Sequence, residues 1–201
     1  MQRLLPHLFL PVALLLLGNV STGQTPKAIH KDSIDIQAAE KAGDKARVAG
    51  DLKAALASYV AAIQNAPFGT DTDQRLREKV IAVARTMKRP PAFPKEAKRH
   101  SARAKAFLKK AKDRKGYESA IKEFKAALDI APWWAAGYFN LGLLQEKAQD
   151  FAGAMRSLKL YLLAAPRASD AAKVEKKIFN LEVAQELDDM RAGEWVTIPG
   201  G

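Results

Sequence analysis

Residues 116–166 read GYESAIKEFKAALDIAPWWAAGYFNLGLLQEKAQDFAGAMRSLKLYLLAAP, and this stretch decides the fold. It repeats upon itself. Tyr117 is answered by Phe151, Ala120 by Ala154, Phe124 by Leu158, Ala127 by Tyr161, Leu128 by Leu162 and Pro132 by Pro166, each pair 34 residues apart. The apolar positions recur at helical rather than strand spacing. A unit of this length is one supersecondary element that buries its apolar face only by stacking on its neighbours. The same internal spacings occur upstream in Leu52, Ala55, Tyr59, Ala62, Ile63 and Pro67, so a third copy spans 36–69. Its Pro67 lies 65 residues before Pro132, which is not a multiple of 34.

Each copy reads as two antiparallel helices joined by a tight turn. Small residues are needed where the two backbones cross, and Gly142 with Ala154 and Gly43 with Ala55 supply them. Gly50-Asp51, Lys115-Gly116 and Gln149-Asp150 mark the turns, and Pro67, Pro132 and Pro166 end the second helices, which proline cannot continue. The pattern resembles the tetratricopeptide repeat family, most closely at Tyr138-Phe139-Asn140-Leu141-Gly142, Asp150-Phe151, Ala154, Leu158 and Pro166. That resemblance implies an all-α fold, a short right-handed superhelix of tetratricopeptide helical hairpins with a C-terminal capping helix. The middle copy departs from it. Leu108 stands where a small residue opposite Ala120 is expected, so its first helix is expected to sit further out or cross at another angle.

The remaining sequence fits around the hairpins. Residues 70–100 combine a helix over 72–88, with Leu76, Val80, Ile81, Val83 and Ala84 at helical spacing, and a proline-rich linker, Lys88-Arg89-Pro90-Pro91-Ala92-Phe93-Pro94. The helix is either a lone element or half of a degenerate repeat. A basic helix over 95–114 leads into the two hairpins of 101–168. The stretch 169–189 reads as a capping helix, with Ser169 at its N-cap, Val174, Ile178, Leu181 and Leu187 on one face and a polar outer side. Segments 24–35 and 190–201 read as flexible ends.

The N-terminus carries an address. Arg3, the apolar run Leu4 to Leu17, and the small residues Ser21 and Gly23 before Gln24 read as a secretory signal peptide over 1–23. The run is shorter than the roughly 20 residues a membrane-spanning helix needs, and Pro6 and Pro11 interrupt it. The expected location is therefore exported: periplasmic, extracellular or at the cell envelope, with no transmembrane span after cleavage. The chain has no cysteine, which excludes disulfides, thiolate metal sites, cysteine nucleophiles and a lipoprotein anchor.

No catalytic constellation stands out. There is no glycine-rich phosphate loop, nucleophile elbow or paired-histidine metal motif, and His30 and His100 alone remain after residue 23. The expectation is a non-enzymatic binding protein without cofactor or metal. The formal net charge of +11 points to an acidic partner. Its densest source is Lys95, Lys98, Arg99, Arg103, Lys105, Lys109, Lys110, Lys112, Arg114 and Lys115, opposed by Glu96 and Asp113 alone. By the tetratricopeptide resemblance, Lys105, Lys109 and Lys112 face the concave groove, beside Phe139, Asn140, Leu143 and Glu146 of the last copy. Lys105 and Asn140 match places at which that family clamps a partner's C-terminal carboxylate, whereas Lys109 replaces the asparagine such clamps use. The broader expectation is a protein or acidic peptide partner in this groove. The alternative is a structural subunit whose basic face docks on anionic envelope lipid or polysaccharide. Nucleic acid is not expected, because basic residues alone bind it weakly and without specificity, and the expected address is extracytoplasmic.

Trp133 and Trp134 are read as packing between hairpins, with ligand contact as the other option. The ending Glu194-Trp195-Val196-Thr197-Ile198-Pro199-Gly200-Gly201 resembles the opening of the formylglycine-generating enzyme family. That family's catalytic cysteines are absent, so no activity carries over. The ending is either a tail or a sign that the chain belongs to a longer protein.

Overall fold

The computed structural model describes residues 35–194, and the fold is all-α. The signal-peptide reading and the enzyme-like ending from Trp195 lie outside the described residues. Eight helices and no strand occur among the described residues: α1 (Ile36–Val48), α2 (Leu52–Ile63), α3 (Asp71–Thr86), α4 (Lys95–Lys110), α5 (Arg114–Ile130), α6 (Ala135–Lys147), α7 (Phe151–Ala164) and α8 (Ala171–Glu194). None is long and apolar enough to cross a membrane.

Three pairs, α1/α2, α4/α5 and α6/α7, pack along one another across connections at 49–51, 111–113 and 148–150. Connections this short leave only an antiparallel arrangement. Each second helix starts on an aspartate whose carboxylate accepts a backbone N–H: Asp51 from Ala54, Asp113 from Gly116 and Asp150 from Gly153. In the first and last pairs the residue before that aspartate is left-handed, Gly50 at φ 79° and Gln149 at φ 63°. The middle turn differs from the sequence reading. It closes at Asp113, so Lys115-Gly116 lies inside α5. A Cβ on Gly116 would stand 2.8 Å from the Ala111 Cα, so glycine keeps this tight corner open.

Close helix crossings explain Gly142 and Gly43. A Cβ at Gly142 would stand 2.8 Å from Leu158 and 3.3 Å from the Ala154 carbonyl. At Gly43 the neighbour is the Tyr59 ring, 2.5 Å from that Cβ, and not Ala55. In the middle pair, Ala97, Ser101 and Ala104 form the buried stripe of α4, while Leu108 is 37% exposed. Leu108 therefore does not occupy the crossing point, and α4 meets α5 through its small residues.

α3 has no hairpin partner. It packs on α2 through Leu76, Val80 and Val83 and also lies against α7. Its Arg77 is 1% exposed. The guanidinium donates to Asp73 (2.8 Å), to the Leu128 carbonyl (3.0 Å) and to Asp129, and its carbon lies 4.2 Å from the Phe68 ring centroid. Burial pushes the Asp73 carboxyl up, against the pull of Arg77 and of the Gly69 N–H. Arg85 of the same helix donates to the Leu163 carbonyl of α7 (3.1 Å). On its other side α3 holds α1: Arg75 grips Glu40 through two 3.0 Å hydrogen bonds, and Lys79 reaches Glu40 and Asp44 at 2.8 Å.

α8 packs on α7 through Val174, Ile178 and Leu181. Three details differ from the sequence reading. The carbonyl of Asp170, not of Ser169, accepts the first helical bond, from Val174, while the Asp170 carboxylate takes the Tyr161 hydroxyl. Leu187 is 53% exposed, with Phe179, Val183 and Met190, so the outer side of α8 is apolar from Phe179 to Met190. The helix also continues to Glu194, five residues beyond 189.

Two predictions follow from these contacts. Arg77→Met leaves a buried carboxylate unpaired and is expected to lower unfolding free energy by about 3–5 kcal/mol in urea titrations. Adding Asp73→Asn recovers part of that loss by removing the stranded charge. Stability equal to that of the parent would show that α3 docks by apolar contact alone. The second concerns acid. The Arg75 hydrogen bond, joined by Lys79 and opposed by burial, holds the Glu40 carboxyl at about 2, below its ordinary 4.5. A depressed carboxylate stabilises the fold above its unfolded value, and that contribution fades as pH falls from about 4.5 towards about 2. Melting temperatures across this window should fall less steeply for Glu40→Gln than for the parent, and identical slopes would refute the assignment.

Candidate functional site: the basic face of α4

α4 has no side-chain cap at Pro94; Glu96 lies in its first turn and Lys109 and Lys110 in its last, both matched to the helix dipole. Burial of Ala97, Ser101 and Ala104 at i, i+4 and i+7 fixes its rotation. Every cation of the helix is thereby turned outward.

Those cations divide into two groups. Arg99 pairs with Glu96 (3.0 Å), and Arg103 (3.2 Å) and His100 (2.7 Å) converge on Glu123 of α5. These contacts tie α4 to itself and to its hairpin partner. Lys95, Lys98, Lys105, Lys109 and Lys110, with Lys112 beyond the helix, are exposed and have no ion-pair partner among the described residues. Lys98, Lys105 and Lys109 fall on one side of the helix, at i, i+7 and i+11. Lys112 lies past the end of α4, in the turn before Asp113. Leu108, three residues from Lys105, is 37% exposed beside this surface, while Phe107, 43% exposed, is two residues from both Lys105 and Lys109 and so lies on the other side of α4.

The α6 half of the expected groove is otherwise engaged. The Phe139 ring lies 5.1 Å from the Tyr161 ring of α7, tilted by 51°. The Asn140 amide donates to the Ala136 carbonyl of its own helix (2.7 Å). Leu143 is half-buried, and Glu146 holds Lys177 of α8 at 2.8 Å. No hydrogen bond or ion pair among the described residues joins these four to Lys105, Lys109 or Lys112.

The tryptophans separate in role. Trp134 lies against Phe93 (4.6 Å between centroids) and Phe124 (6.0 Å). Trp133 packs against the α2–α3 core and against Ala97, Ala127 and Ala131, and also lines an open apolar groove beside α2. Sequence reading missed that groove. The available signal was the run Leu56, Ala57, Val60, Ala61 on the side of α2 away from Tyr59. The chain matches no protein-family model and no curated protein.

Proposed function

We propose that this chain is an exported, non-enzymatic tetratricopeptide-type scaffold, its hairpins wound as a short right-handed superhelix, which binds a protein or peptide through acidic side chains. The observation that carries this reading is the set of unpaired lysines on one side of α4, Lys98, Lys105 and Lys109, with Lys112 beyond its end. The arginines nearby are neutralised within the fold, whereas these lysines are left to solvent. The paired helices with small residues at their crossings support the repeat assignment, and the N-terminal run supports export. The contacts of Asn140 and Glu146 within the chain favour an acidic ligand spread along α4 over a clamp shared between α4 and α6.

Exposed ion pairs contribute roughly 0.2–1 kcal/mol each, so losing two of them and adding repulsion corresponds to about tenfold in affinity or more. Lys105→Glu with Lys109→Glu should weaken a glutamate-rich peptide by that factor in a low-salt titration. Unchanged affinity would refute the site. Vesicles containing anionic lipid serve as the comparison. Binding to them without any protein partner, lost steeply with salt, would replace the scaffold reading with docking on the envelope surface.

A further inference from the structure

α2 has a second apolar side. Ala55, Tyr59, Ala62 and Ile63 are buried in the core it shares with α3. The side turned towards Met87 and Trp133 runs Lys53, Leu56, Ala57, Val60, Ala61 and Gln64, with Leu56 and Val60 half-buried where they also touch that core. It floors an open groove of about 500 Å³ walled by Met87, Pro91 and Trp133. At its Lys53 end the surface continues past Lys88 and Arg89. Asp51, also at that end, is occupied in capping α2. The groove is therefore one helix wide in pattern, apolar along its floor and cationic at one end.

α8 offers the reciprocal surface. Phe179, Val183, Leu187 and Met190 are 62%, 39%, 53% and 64% exposed, at i, i+4, i+8 and i+11. Single exposed apolar residues need no explanation, but four aligned on one helix do. Glu186, Asp188 and Asp189 gather at the C-terminal end of this stripe, where Arg191 engages Asp188, and Lys173, Lys176 and Lys177 lie towards its N-terminal end.

We propose that α8 of one copy docks in the α2 groove of a second copy, antiparallel to α2, with Phe179 towards Trp133 and Met190 towards Lys53, Lys88 and Arg89. The lengths agree, since Lys53 to Gln64 and Phe179 to Met190 each advance about 16 Å along a helix. The charges fix the direction. The antiparallel arrangement brings Glu186 and Asp189 to the cationic end, whereas the parallel one sets Lys173 and Lys176 against Lys53. Within one chain, Val174, Ile178 and Leu181 hold α8 along α7, so its outer face is offered to another molecule. Groove and stripe share no residue. Each copy uses both, and the contact is heterologous, building open chains or a ring.

Sedimentation equilibrium of the purified chain tests this. The weight-average mass should rise with protein concentration beyond that of one chain. Ala57→Glu spoils the groove and Phe179→Glu spoils the stripe, and each variant alone should stay monomeric. An equimolar mixture should reach twice the chain mass, because one partner retains a working groove and the other a working stripe. Circular dichroism checks that each variant keeps its helical signal, with Lys53→Glu and Val183→Glu replacing either that does not. A parent that stays monomeric at every concentration, a variant that self-associates like the parent, or a mixture that stays monomeric would each overturn the proposal.

Discussion

The arrangement depends on one buried cation. The last four carbonyls of a helix have no partner within it, and a helix end turned inward needs donors from elsewhere. Arg77 of α3 supplies one to Leu128 at the end of α5, and Arg85 supplies another to Leu163 at the end of α7. The two arginines are eight residues apart on α3, about 12 Å along its axis. α3 thus acts as a strut across the C-terminal ends of two successive second helices. Arg77 is the costly member, because a guanidinium taken out of water is tolerated only when its donors are filled. Asp73, Asp129, the Leu128 carbonyl and the face of Phe68 fill them.

The strut sets where everything N-terminal to it can go. α2 packs on α3, and α1 is latched to α3 through Glu40 and Asp44. Because α3 lies against α7 as well, the first hairpin is carried along with α3 and is not stacked broadly on the α4/α5 pair. Its contact with that pair is narrow and runs through Trp133, which touches both the α2–α3 core and the alanines of α4 and α5. An additional helix at that junction would cover the outer side of α2. None is present among the described residues, and the seam of Leu56 and Val60 is left beside Trp133 as an open groove.

The hairpins were legible because their cause is local. Backbones that cross closely demand Gly or Ala at fixed intervals, and a single sequence displays those intervals whatever the rest of the fold does. The offset of 65 residues was legible too, as a number; what fills it is a helix without a hairpin partner. Arg77 was not legible, because an arginine in a charged helix reads as solvated until its partners on α5 are known. The signal was its position four residues after Asp73, inside the stripe of Leu76, Val80 and Val83. Leu187 was assigned to the wrong face because α8 has apolar residues on two sides, and only contact with α7 decides which side is buried. Asn140 and Glu146 were legible as polar residues on α6, but not as partners of Ala136 and Lys177.

The division of labour between the two kinds of cation bears on recognition. Arg75, Arg77, Arg85 and Arg103 are spent on contacts within the fold, where a planar fork with fixed donors meets carboxylates and carbonyls to best effect. The free cations of α4 are lysines, compact charges on flexible stems that lack such geometry. A surface of this kind attracts acidic ligands from a distance and speeds their arrival, but it discriminates poorly between one acidic ligand and another. Discrimination therefore has to come from groups of defined shape next to the lysines. Leu108, partly exposed and three residues from Lys105, is the apolar side chain beside them, and under the proposed scaffold reading an apolar residue of the ligand would meet it.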